Sequence, residues 1–117
     1  MNEMIHVFMD DYRRVPQGFT LARTTEECLL LLRECEVGVL SLDYDMGPED
    51  ETGGYVAKTI VLEALFPREI YLHTSSAPGR KEMFELLYPA RPEETAVHYG
   101  PMPEEKLREM ASGAFGS

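Results

Sequence analysis

Hydrophobic and polar positions follow two periods along this chain, and their order predicts alternating strands and helices. Residues 4–9 (MIHVFM) read as a buried strand, apolar except for His6. Residues 10–18 form a polar loop with Pro16 and Gly18 as turn residues. Residues 19–23 alternate and predict a short second strand. Thr24 then caps a helix, with Glu27 three positions on as its capping-box partner. Cys28, Leu29, Leu31, Leu32 and Cys35 make that helix's apolar stripe. Residues 37–42 are a third, buried strand, and 43–53 a polar loop. A helix runs from about Gly54 to Leu65, where Phe66-Pro67 stops it. Residues 69–73 predict a fourth strand, and Ser76-Ala77-Pro78 starts a helix with Met83, Phe84, Leu86 and Leu87 on its apolar side. Residues 95–99 predict a short fifth strand, and Pro103 opens a last helix carrying Leu107 and Met110.

Strands alternating with helices predict a three-layer α/β fold with a mainly parallel sheet. One connection breaks the pattern. Only about nine residues join the first two strands, whereas a parallel crossover usually takes a dozen or more, including a helix. The second strand is therefore expected to be short, displaced or antiparallel. Residues 1–112 read as one domain, and 113–117 as a frayed tail.

Composition narrows the function. The chain has 117 residues, 44% of them hydrophobic, enough for one core. Its longest apolar runs are too short to span a membrane. The N-terminus lacks a basic segment followed by an apolar one, so a cytoplasmic setting without a secretory leader is expected. Cys28 and Cys35 lie two helical turns apart, about 10 Å, too far for a disulfide. They read as core thiols of a reducing compartment. A net charge of −10 argues against duplex DNA and anionic membrane as partners. It leaves room for an anionic substrate, because a cation and a few arginines can invert the field of one pocket.

The chemistry lies at the ends of the predicted strands. Asp10-Asp11 ends the first, Asp43 and Asp45 follow the third, and His73-Thr74-Ser75-Ser76 ends the fourth. Ligands of parallel α/β sheets bind outside the carboxyl ends of the strands. Carboxylates gathered there repel unless a cation holds them, and hard oxygen ligands suit Mg²⁺. Asp10, Asp11 and Asp43 are thus the expected metal ligands. His73 is the candidate for proton transfer. Arg80, the amides at Ser75 and Ser76, and Arg13 are candidates to hold an anion. Asp45 could instead cap its loop through an Asx-turn. His6 reads as a core histidine, and His98 could line the same edge.

The series VFMDD, SLDYD and YLHTSS resembles a response-regulator receiver domain, with Asp10-Asp11 as the acidic pair, Asp43 as the phosphoacceptor, and Thr74 or Ser75 as the hydroxyl. The lysine such domains carry after the fifth strand is missing; the chain reads His98-Tyr99-Gly100-Pro101. The chain is more similar to the cyclic-phosphate processing receiver domain family, over nearly all of residues 4–90. The resemblance rests on Asp10-Asp11 followed by Arg13-Arg14 and Pro16, on Ser41-Leu42-Asp43-Tyr44-Asp45-Met46-Gly47, and on His73 followed by Gly79-Arg80. Three positions depart from it: Tyr44 replaces a histidine, Thr52-Gly53-Gly54-Tyr55 lacks an acidic member, and Ser76-Ala77 replaces Asn-Pro.

The resemblance implies a receiver or flavodoxin-like fold of strand order 2-1-3-4-5, with the first helix absent or degenerate. It also implies Mg²⁺-dependent phosphoester chemistry on a nucleotide or RNA end carrying a 2′,3′-cyclic phosphate. In that reading His73 and Asp43 are catalytic, Asp43 with a covalent aspartyl-phosphate as a variant. The alternatives are a non-enzymatic receiver switched through Asp43, and a pseudo-receiver that binds a nucleotide or a protein without turnover.

Overall fold

A computed structural model describes residues 3–113. All but Gly113 of the expected frayed tail lies outside the described residues. Five strands and four helices follow in the order β1 (Met4–Met9), β2 (Thr20–Ala22), α1 (Thr25–Glu34), β3 (Glu36–Leu42), α2 (Gly53–Glu63), β4 (Glu69–Leu72), α3 (Ala77–Ala90), β5 (Ala96–Val97) and α4 (Glu104–Ala111). The sheet order is β2-β1-β3-β4-β5, and every pair is parallel.

Both faces of the sheet are covered, which is why β1 and β3 are apolar almost throughout. On one face Val7, Met9, Leu40, Leu42, Ile70 and Leu72 pack under α1, α2 and α3. Their helical partners include Cys28, Leu32, Val56, Ile60, Met83 and Leu87. The other face is thinner. Phe8, Val39 and Tyr71 meet Met102 and the α4 residue Met110, with Val15 and Phe19 from the first loop beside them.

That loop explains the short crossover. Residues 10–19 contain no helix, and β2 shrinks to three residues yet still pairs parallel to β1. The antiparallel possibility is therefore ruled out. Val15 and Phe19 supply the apolar cover a helix would otherwise give. The loop turns where the Phe19 amide bonds to the Pro16 carbonyl at 3.2 Å. Gly18 (φ 96°) presses on the end of α4, where a Cβ would sit 2.5 Å from the Met110 carbonyl oxygen. Only glycine meets both demands.

His6 is half-buried and lies outside the core, where it completes the backbone bonding of the sheet. The β1–β3 register slips between Ile5 and Val7, leaving one extra residue on β3. The His6 Nδ1 accepts the Val39 amide at 3.0 Å and so replaces the missing strand acceptor. Its ring lies where a Cβ on Gly38 would be, 2.6 Å from the Cε1.

Other local expectations shift by a residue or two. Thr24 caps α1 by accepting the Glu27 amide at 3.1 Å. The Glu27 carboxylate reaches back to the Arg23 amide instead of closing the box on Thr24. Asp50 supplies the acceptor for the Thr25 amide from the β3–α2 loop, at 2.9 Å. The α2 helix ends at Glu63 because Ala64 turns left-handed (φ 56°). Assigned β5 is only two residues, but its path continues along β4 through the bond from the His98 amide to the Ile70 carbonyl. Cys28 is buried, which pushes its thiol up to about 12, and both cysteines are free. No described helix is long and apolar enough to cross a membrane.

Candidate functional site

The carboxyl ends of β1, β3 and β4 bring Asp10, Asp43 and His73 together, with one ligand atom of each within 4.8 Å of the others. Asp10 is fully buried directly after β1. Its Oδ1 accepts the amides of Tyr12 (3.0 Å) and Arg13 (2.8 Å), a local turn of the kind short acidic side chains favour. Its Oδ2 lies 2.9 Å from His73 Nε2 and 3.4 Å from the Arg13 guanidinium.

His73 is clamped. Its ring stacks on Phe8 at 4.2 Å, and its Nδ1 lies 2.6 Å from the Ser41 hydroxyl. A carboxylate at Nε2 fixes the proton there, so Nδ1 accepts from Ser41. The ring is neutral: burial pulls its pKa down to about 4, against the opposing pull of Asp10. Both nitrogens are thus engaged inside the protein. Burial pushes Asp10 up, but the Arg13 and Tyr12 amides and His73 outweigh it and hold the carboxyl below its ordinary range.

Asp43 behaves oppositely. It is buried at the end of β3, with its Oδ1 accepting the Tyr44 amide at 2.7 Å. Burial pushes its pKa up; the Tyr44 amide pulls down, the Asp10 charge pushes up again, and the balance stays raised. The Thr74 hydroxyl also bonds to it, so of the two hydroxyl candidates Thr74 is the one at Asp43, and Ser75 is exposed. Asp11 faces Gly47 of the following loop. Its Oδ1 is buried and has no hydrogen-bond partner. Asp45 is exposed.

Arginines surround these acids. Arg13 donates to the His73 carbonyl at 3.1 Å, and Arg80 to the Thr74 carbonyl at 2.7 Å. Arg80 also lies over the Tyr99 ring, 5.5 Å from its centroid, and its Nε is buried without a partner. Arg23, at the end of β2, bonds to the carbonyls of Asp10 and Arg13. In a chain of charge −10 this is a local concentration of cations. Ser76 is less available than expected. Its hydroxyl caps α3 by accepting the Gly79 amide, and its own amide is spent on Thr74 Oγ1. His98 is not at this cluster; it stacks on Tyr71 and lies 3.6 Å from Glu69.

Compared with family models, residues 5–89 match the cyclic-phosphate processing receiver domain. The chain belongs to that family. A comparison with curated proteins gives no match. As a family member it keeps the acidic strand ends and lacks the receiver lysine. Lys106, on α4, bonds instead to Glu69 at the start of β4. Tyr44, the residue that departs from the family resemblance between Asp43 and Asp45, packs its ring where Gly79 has no Cβ, and its hydroxyl bonds to Glu82 at 3.0 Å.

Sequence reasoning missed Ser41, Arg23 and Tyr99. Ser41 had a signal: a lone hydroxyl in a buried strand, two residues before Asp43 and so on the same face. Arg23 and Tyr99 act through long-range contacts that no local pattern reports.

The neutral histidine predicts an acid-sensitive fold. The folded pKa of His73, about 4, lies below the ordinary 6.5, so the unfolded chain binds more protons between those values. Stability is full above about pH 6.5 and falls as pH drops towards about 4, by roughly 2–3 kcal/mol. Asp10 adds to this loss at lower pH, while the raised Asp43 opposes it. Denaturant midpoints measured from pH 7 to pH 4 check the slope, and His73→Gln should flatten it. An equal slope in that variant would place the acid sensitivity elsewhere.

Proposed function

We propose that this protein opens 2′,3′-cyclic phosphates on nucleotide or RNA ends with the help of Mg²⁺. The observation that carries the proposal is a pair of buried orphans of opposite polarity at one sheet edge: an acceptor, Asp11 Oδ1, and a donor, Arg80 Nε. A cation would satisfy the first and a phosphate oxygen the second. Asp10 and Asp43 offer a hard cation two carboxylates in range of one ion, and Asp11, outside the Asp10–Asp43–His73 group, would swing in to complete an oxygen set. When bound, Mg²⁺ would neutralise the non-bridging phosphate oxygens and polarise the phosphorus.

The remaining work falls to the chain. Arg80, with Arg13, would hold the phosphate oxygens, Arg80 supplying from α3 the positive charge that a receiver takes from its lysine. Water attacks phosphorus, one P–O bond to the ribose breaks, and the released ribose oxygen takes up a proton. Asp43, buried at this edge, is the candidate to accept the water's proton through a carboxylate oxygen that the cation leaves free. The engaged ring of His73 fits a positioning role: it holds Asp10 in place instead of shuttling protons.

The test is conversion of short RNAs ending in a 2′,3′-cyclic phosphate to monoesters, with Mg²⁺ present. Arg80→Ala should raise KM about 10-fold or more. His73→Ala should slow turnover, and His73→Gln, which keeps polar contacts to Ser41 and Asp10, should restore much of it without moving the pH profile. A wild type inactive on every sequence tried would leave a pseudo-receiver. A new acidic limb in the His73→Gln profile would return proton transfer to the histidine.

A further inference from the structure

The missing first helix leaves a gap on the thin face of the sheet, beside the acidic edge. An apolar slot of about 190 Å³ opens there between the first loop and α4. Its floor is the stacked pair Phe8 and His73, and its walls are Pro16 on one side and Met102 and Leu107 on the other. Arg13 also lines it. The same guanidinium bonds to Asp10 and to the His73 carbonyl, so one side chain belongs to both the slot and the edge.

The geometry points to a binding place for the terminal nucleobase of the substrate. The slot is smaller than the roughly 300–1,000 Å³ of pockets that hold whole ligands, and suits one flat ring system. Unpaired bases are held by stacking on aromatic and guanidinium planes. Arg13 can offer the face of its guanidinium to the base while its in-plane N–H groups stay directed at the edge, where the phosphate is held. The inference rests on the cyclic-phosphate reading above, and adds that the end is recognised through its base, at a site built by Pro16, Met102, Leu107 and Arg13.

Two measurements decide it. In the first, the protein carries ¹³C-methyl methionine and is titrated with cytidine, adenosine or ribose at millimolar concentration. Cytidine or adenosine should shift the Met102 methyl signal and leave Met83, in the opposite layer, unmoved; ribose should shift neither. Leu107→Trp, which fills the slot from partly exposed α4, should abolish the shift. No shift with either nucleoside, an equal shift with ribose, or a folded Leu107→Trp that still responds would overturn the inference. In the second, cytidine 2′,3′-cyclic phosphate is compared with the base-free ribose cyclic phosphate, whose KM should be about tenfold higher. Equal KM values would sink the slot and leave the activity standing. Absence of turnover on both would sink the activity, and the nucleoside titration would still decide the slot.

Discussion

Asp10→Ala is expected to cost about 3–5 kcal/mol of stability, the largest effect of any single truncation at the site. One carboxylate there accepts two backbone amides and the His73 ring, and pairs with Arg13. Alanine would leave these donors facing a dry space. It would also release the His73 proton from the partner that fixes its position. For a domain of this size the melting temperature should fall by more than about 10 °C. Asp10→Asn should fall between wild type and alanine. Its carbonyl can still take the two amides, but its NH₂ group meets the His73 N–H donor to donor. Thermal melts of the three proteins at pH 7 test this. A loss below about 1 kcal/mol for Asp10→Ala would mean that solvent reaches these groups and that Asp10 does not organise the edge.

The second large effect concerns the cation. At a hundredfold excess over its Kd, Mg²⁺ should stabilise the protein by about 2–3 kcal/mol, or on the order of 10 °C. Asp43→Asn should remove most of that shift. It should also raise the melting temperature in metal-free buffer, because the raised pKa of Asp43 marks an ionised carboxylate held at a cost. The two signs together separate a ligand from a structural carboxylate. Equal Mg²⁺ stabilisation of wild type and variant would sink the assignment of Asp43. A larger response to Zn²⁺ or Mn²⁺ that disappears in His73→Gln would put the histidine, not Asp11, in the coordination set.

The architecture was legible because β1, β3 and β4 are short apolar runs that stop at polar clusters, and parallel strands put all such stops at one edge. The sheet order and the lack of a first helix came from the family resemblance; the loop composition showed only that the connection was unusual. Helix starts were readable from Thr24 and Ser76, whose side chains do cap. Bonds made across the chain were not. The pairing of Asp50 with Thr25, the bulge completed by His6 and the tethering of Arg80 to Thr74 each join residues whose relation exists only once the sheet is built. The candidate site was legible as residue types at strand ends. Which of them face one another was not, because the seating of His73 depends on Ser41 and Phe8 from two other strands.

The helix-free crossover has a consequence for how this domain opens. A three-residue edge strand has few bonds of its own, and here it is anchored by Arg23 and by the loop that carries Asp10, Asp11 and Arg13. Strand, loop and site therefore form one cooperative unit of local unfolding. Any ligand bound by the loop raises the opening free energy of the whole unit by its own binding free energy. Amide hydrogens of Leu21 and Ala22 should then exchange more slowly when the site is occupied, so the sheet's edge strand, joined to Asp10 through the Ala22 carbonyl, reports on the ligand.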